Sequence, residues 1–140
     1  GKAKARNGRA AGQAVTILVD TSVLIDHLRG HEAARRAIED AAQRGERIVC
    51  SVVTKVEVLA GVRAGEEAPT RRLLDALEWI AVSDAFAEEA GLLANRYLKS
   101  HPGVDPVDFI IAATASGLGA ELWTRNVKHF PMFGGLAAPY

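Results

Sequence analysis

Apolar and polar positions along this chain fall into two rhythms. A short β-branched run, VTILV at residues 15–19, ends at Asp20 and reads as a buried strand. Thr21 or Ser22 can cap a helix that runs to about Arg29 and stops at Gly30. Residues 32–44 place Ala34, Ala37, Ile38 and Ala41 on one helical face and close at Gly45. RIVC at 47–50 predicts a second strand. Ser51 then caps a predicted helix that turns Val52, Val53, Val56, Leu59 and Ala60 inward and is over by Gly65. Residues 66–78 carry a stripe of Leu73, Leu74 and Leu77, and 79–82 predict a third strand. Asp84 opens a long predicted helix to about Ser100, with Phe86, Ala90, Leu93 and Tyr97 as core positions. After a loop at 101–104, Asp105 followed by Pro106 is a cap residue with proline in the first turn, the start of a helix to Gly117. AELW at 120–123 predicts a fourth strand, and 130–140 an irregular tail with room for a short edge strand. Trp79 and Trp123 border strands and are expected in the core.

Strands that alternate with helices, without internal repeats or low-complexity tracts, predict an α/β fold whose parallel sheet is covered on both faces. In such sheets ligands bind beyond the carboxyl ends of the strands. That rule points at Asp20, at the Ser51 turn and at residues 124–126.

Length and composition narrow the classes. At 140 residues and 49% hydrophobic, the chain suits one globular domain and excludes wholesale disorder. No run approaches the ~20 apolar residues of a membrane-spanning helix, so no membrane is expected among its partners. The one cysteine, Cys50, excludes an internal disulfide framework and zinc sites built mainly of cysteine. In a strand it reads as an inert core thiol, which fits a reducing cytoplasm.

Charge adds an asymmetry. Residues 1–14 hold Lys2, Lys4, Arg6 and Arg9 and no acid; they read as a flexible lead-in or a cloning remnant, alternatively as a basic arm that touches nucleic acid. With 17 basic and 17 acidic side chains in all, residues 15–140 keep 13 basic and 17 acidic, a net of −4. Bulk charge therefore gives no support to a nonspecific polyanion binder.

Three acids stand out by position. Asp20 directly follows an apolar strand, where it is either a ligand-binding group or a helix cap. Glu57 interrupts an apolar helix face, or else lies solvated on its edge. Asp108 sits in the first turn of its helix, as a site residue or as an acid that offsets the helix dipole. Carboxylates that converge in one cleft repel each other, and a hard divalent cation such as Mg²⁺ or Mn²⁺ relieves that repulsion. Asp105 reads first as an N-cap. The histidines, His27, His31, His101 and His129, read as surface residues. No Gly-rich phosphate loop and no G-x-S-x-G elbow is present.

These residues resemble a known family. Asp20-Thr21-Ser22-x-Leu24-Ile25-Asp26 after an apolar strand resembles the opening motif of PIN-domain ribonucleases. Ser51-x-x-Thr54-x-x-Glu57-x-Leu59-x-Gly61 resembles their second motif, the run from Asp108 to Ala115 their third, and Leu122-Trp123-Thr124-Arg125-Asn126-x-x-His129-Phe130 their fourth. The resemblance covers residues 16–133, and the compact length is similar to the VapC toxins of bacterial toxin–antitoxin pairs. It implies a PIN-like three-layer α/β/α sandwich with a mainly parallel sheet of four to five strands, over residues 15–140. It also implies a Mg²⁺- or Mn²⁺-dependent endoribonuclease that cleaves structured RNA, tRNA or rRNA, through metal-activated water. Asp20, Glu57 and Asp108 would form the acidic, metal-holding cluster, with Glu57 or Asp108 positioning the water or taking its proton. Asn126 stands where many relatives place a fourth acid, which puts a tightly held second metal in doubt. Thr124 and Ser22 would orient the water or an acid, and Asp105 would reach the metal through water. Arg125 and Lys128 would hold the RNA backbone, unless they are ordinary solvated charges. Implied partners are a second copy of the chain, a VapB-like antitoxin that blocks the cleft, and operator DNA bound through that antitoxin. Two readings compete. A non-catalytic PIN-like binding module would keep the fold but lose acids of the cluster. A haloacid-dehalogenase-like phosphatase needs a second aspartate where Ser22 stands.

Overall fold

In the computed structural model, which describes residues 14–140, eleven elements follow one another. They are β1 (Thr16–Val19), α1 (Thr21–Leu28), α2 (Glu32–Gln43), β2 (Arg47–Ser51), α3 (Val52–Ala60), α4 (Glu67–Ala76), β3 (Glu78–Ile80), α5 (Asp84–Tyr97), α6 (Pro106–Leu118), β4 (Glu121–Trp123) and a 3-10 turn (Val127–His129). The basic segment 1–14 lies, but for Ala14, outside the described residues.

The strands form one sheet in the order β3-β2-β1-β4, and every pairing is parallel. Parallel neighbours need helical crossovers, and their strands are buried on both faces. Period-two alternation divides the core accordingly. Ile17, Val19, Cys50 and Trp123 pack on Val23, Leu24, Ala41, Val58 and Leu74 from the first four helices. Leu18, Val49 and Leu122 face the other way, onto Ala90 of α5, Phe109, Ile111, Ala112 and Ala115 of α6, and Phe130, Met132 and Phe133 of the tail. The result is an α/β/α sandwich of four strands. Residues 130–140 contribute no edge strand but fold their aromatic side chains onto the α6 face.

Several details differ from the pattern-based reading. On α3 the inward side chains are Thr54 and Val58, not Val56, Leu59 and Ala60. Val56 is 68% exposed. The helix has only nine residues, and its β-branched composition misreports its buried stripe. Trp79 is only half buried, its indole N–H donating to the Leu74 carbonyl. At α1 the N-cap position belongs to Asp20, with Thr21 already helical. Where α5 crosses α6, Gly117 leaves room for Phe86; a Cβ there would lie 2.4 Å from the Phe86 ring.

The chain steps outward from β1 to β2 to β3, then returns to lay β4 on the other side of β1. The chain leaves β1 through α1 on one face and enters β4 from α6 on the other, and open α/β sheets bind ligands in the crevice beyond the carboxyl ends of such strands.

Candidate active site

The end of β1 delivers Asp20 into that crevice. Its backbone N–H donates to the Trp123 carbonyl at 2.9 Å, which fixes the strand end against β4. Its side chain occupies the N-cap position of α1 without capping any backbone N–H. Both oriented donors reach one oxygen: the Thr124 hydroxyl donates to Oδ2 at 2.7 Å and the Ser22 hydroxyl at 2.9 Å. Asp20 is 4% exposed, and a polar group buried that deeply is costly unless it is hydrogen-bonded in this way. Thr124 is itself fully buried and accepts the Asn126 N–H at 2.9 Å; Ser22 accepts the Arg125 N–H at 3.1 Å. The turn after β4 is thereby tied to the turn after β1.

Glu57 reaches the same region from α3. Thr21, the first residue of α1, donates its hydroxyl to Glu57 Oε1 at 2.6 Å, beside the buried Thr54 hydroxyl at 3.1 Å. Glu57 is thus anchored to the residue next to Asp20 rather than loose on a helix edge.

Asp108 comes from α6. The Asp105 carboxylate accepts the Val107 and Asp108 N–H groups, and Asp108 Oδ2 accepts the Asp105 N–H at 3.3 Å, a reciprocal cap. Asp108 is 8% exposed, and burial above all pushes its carboxyl up to about 6. The Asp105 N–H opposes that rise, the Asp105 charge adds to it, His129 opposes it, and the Asp20 charge adds to it. Asp20 and Asp108 therefore sense each other across the crevice.

The structure brings Asp20, Ser22 and Thr124 into direct contact, and places Glu57 and Asp108 around them. It keeps Asp105 exposed as a cap and Lys128 on the surface. Asn126 is exposed, at the head of the 3-10 turn, with no side-chain capping bond. Arg125 is engaged: Nη1 donates to Asp26 Oδ2 at 2.8 Å, and the Tyr140 hydroxyl donates to the same oxygen at 2.6 Å. Burial raises Asp26, but these two bonds and the charges of Arg125 and His31 outweigh it and hold its carboxyl below the ordinary range.

Reading every histidine as surface needs correction. His129 Nδ1 lies 3.3 Å from Asp108 Oδ2 and His27 Nδ1 is buried without a partner, whereas His31 is exposed as expected and caps α2 by accepting the Ala34 N–H. The roles of Asp26, Tyr140 and His129 were not read from the sequence. Asp26 lies two turns along α1 from Asp20, a visible clue, whereas the reach of Tyr140 back to α1 leaves no local signal. Cys50 is buried, and burial together with the Asp20 charge pushes its thiol up to about 12, as suits an inert core residue.

The PIN domain family matches residues 17–131. The chain belongs to the PIN-domain family, in its VapC branch. It is similar to Ribonuclease VapC19 of Mycobacterium tuberculosis, with 45% identity over 123 residues, 88% of this chain and 98% of that protein. Ribonuclease VapC10 of the same organism is 40% identical over 124 residues, 89% and 92% of the two chains. Among solved structures, a toxin–antitoxin complex from Klebsiella pneumoniae superposes with a TM-score of 0.73 at 32% identity, over 89% of this chain and 98% of that one. The four-stranded parallel sheet with helices on both faces is the PIN fold. Among the described residues no helix is long and apolar enough to cross a membrane.

Proposed function

We infer that this PIN domain is the ribonuclease toxin of a toxin–antitoxin pair, an endoribonuclease dependent on a divalent cation. The observation that carries the reading is the Asp20 carboxylate, buried at the switch of the sheet, locked through one oxygen by Ser22 and Thr124, and charge-coupled to Asp108. Kinship with the VapC ribonucleases supports the same reaction.

Among the described residues, no three His, Cys, Asp or Glu side chains converge closely enough to cage an ion. The donor chemistry nonetheless fits a hard cation of the Mg²⁺ class. Such ions are commonly held by one or two carboxylates, with waters and substrate phosphate completing the shell. Asp20 and Asp108 would hold the ion, with Glu57 at the margin; Mg²⁺ and Mn²⁺ both suit these oxygens. The cation supplies positive charge that polarises the phosphodiester and acidifies water. Ser22 and Thr124 fix the Asp20 rotamer. Glu57 or Asp108 orients the attacking water and takes its proton, and in-line attack leaves a 3′-hydroxyl and a 5′-phosphate. Asn126 lines the mouth without adding a fourth negative charge, and Asp105 would contact a bound cation only through water. Arg125 and Lys128, on the turn after β4, contact the RNA. Single-stranded loops of tRNA or rRNA are suitable targets because paired A-form RNA hides its base edges.

The solved toxin–antitoxin neighbour supports an antitoxin partner, and an acidic crevice accepts a basic side chain from it. Operator DNA would be bound through that antitoxin. A homodimer belongs to the same reading, with the exposed Val56 and Leu59 of α3 and Leu92 of α5 as the side chains to test. The reading places the protein in the cytoplasm, where its RNA is.

Purified protein incubated with total cellular RNA tests the reaction. Discrete new 5′ ends that require Mg²⁺ or Mn²⁺ and vanish with EDTA or in Asp20→Ala are expected. Folded, antitoxin-free protein that leaves RNA intact with both metals would favour a non-catalytic binding module.

A further inference from the structure

Beside the acids, the same crevice opens into a cleft of about 400 Å³ lined by Ser22, Ile25, Asp26, Arg125 and Asn126. That volume falls within the range of small-molecule sites, roughly 300–1,000 Å³. Ser22 belongs to both places, since its hydroxyl donates to Asp20 and accepts the Arg125 N–H. Whatever occupies the cleft therefore lies next to the acids.

Arg125 spends one donor, Nη1, on Asp26. A guanidinium carries five N–H groups in a fixed fork, so four remain. Asp26 is held in turn by the Tyr140 hydroxyl, and the Tyr140 ring packs 5.1 Å from that of His31 on α2's cap. The guanidinium is thus braced in place before any ligand arrives. Its charge is already matched by Asp26, so the cleft has little net attraction for a phosphate. Ile25 offers an apolar wall, which suits a flat ring and does nothing for an anion. A braced fork with matched charge and an apolar wall is complementary to a neutral ring edge bearing two acceptors. Among the bases, guanine presents that edge through O6 and N7.

We propose that this cleft is a guanine subsite for the nucleotide beside the scissile phosphate, read by the Arg125 fork, with Asp26 and Tyr140 as positioning residues. The proposal rests on the ribonuclease reading for its place beside the scissile bond. The base preference itself stands on the cleft alone. Asn126 at the rim completes the pocket through its free amide.

The test is a titration of the metal-free full chain with GMP, AMP, CMP, UMP and inorganic phosphate, followed by NMR at the Arg125 Nε–H and Asn126 amide resonances. GMP should bind about tenfold more tightly than the other nucleotides, the order expected of one bidentate contact. Inorganic phosphate should leave both resonances still. Arg125→Lys keeps a charge without the fork and should abolish the preference. Tyr140→Phe should reduce the GMP-to-AMP ratio several-fold while the melting temperature stays near wild type. Asp26→Asn should have a distinctive effect: with the arginine charge unmatched, all four nucleotides and inorganic phosphate bind more tightly, and selectivity falls. Equal binding of the four nucleotides to wild type, or a GMP preference that survives Arg125→Lys, overturns the proposal. Cleavage of a randomised single-stranded RNA library, run separately, reports on the enzyme. Wild type that prefers GMP yet cuts nothing would sink the ribonuclease reading and leave the subsite. Wild type that cuts without guanine beside the cut would do the reverse.

Discussion

Asp108→Asn should make the protein more stable while it stops the reaction. Asparagine has the shape of aspartate, and its carbonyl oxygen can still accept the Asp105 N–H, so the cap of α6 survives. What disappears is a buried charge whose carboxyl stands at about 6 instead of 3.8, mainly because of burial. At about 1.4 kcal/mol per pKa unit, holding that group ionised at neutral pH costs about 3 kcal/mol as an upper figure. Residual solvent around the carboxylate reduces it, and the attraction of His129 is already contained in the raised value. A net gain of about 1–2 kcal/mol remains, or about 3–10 °C in Tm for a chain of this size. The pH dependence has a definite sign. A folded value above the ordinary one means that the folded state binds the proton better, so wild type loses stability as pH rises from about 4 to 6 and regains none of it above. The variant lacks this loss. Thermal melts in EDTA at pH 4, 5, 6 and 7.5 should therefore show a gap that opens with pH and is full by 7.5. The reasoning is refuted if the variant melts at or below wild type at pH 7.5, or if the gap is the same at every pH.

Other substitutions probe other contacts. Thr124→Val removes the shortest hydrogen bond to Asp20 and the acceptor of the Asn126 N–H; a loss of about 1–3 kcal/mol in chemical denaturation and a sharp fall in RNA cleavage are expected. Gly117→Ala drives a methyl group into the Phe86 ring, and overpacking of this kind should lower stability by about 1–3 kcal/mol in urea melts. On the homodimer reading, Val56→Glu combined with Leu92→Glu should yield a monomer by light scattering; both positions are 68% exposed, so the pair should not unfold the chain. Native Cys50 should resist Ellman's reagent at pH 8 and react only in denaturant, because its thiol is buried.

Much of the fold was legible because parallel strands are written as short apolar runs between punctuated helices. Asp105-Pro106 announced α6 at the right residue, and Gly30 and Gly45 ended α1 and α2 where a left-handed residue was needed. The place of Asp20 was legible for a related reason: a charged residue that follows an apolar strand comes to lie at the sheet's carboxyl edge. The failures came where distance along the chain is large. Val56 and Leu59 are apolar yet face outward, because burial depends on which neighbours arrive, not on composition alone. Tyr140 meets Asp26 across more than a hundred residues. His129 meets Asp108 because the 3-10 turn folds back beside α6, a geometry no periodicity encodes.

The turn after β4 sends successive side chains to opposite destinations. Thr124 points into the protein and is fully buried on Asp20, while Arg125 and Asn126 stand exposed at the mouth. Substitutions at the two outer positions can therefore alter what enters the crevice without disturbing the residue that holds the acid. A lineage that keeps the inner residue is free to change targets by exchanging its neighbours, so a scaffold of this kind can diversify its prey while its chemistry stands still.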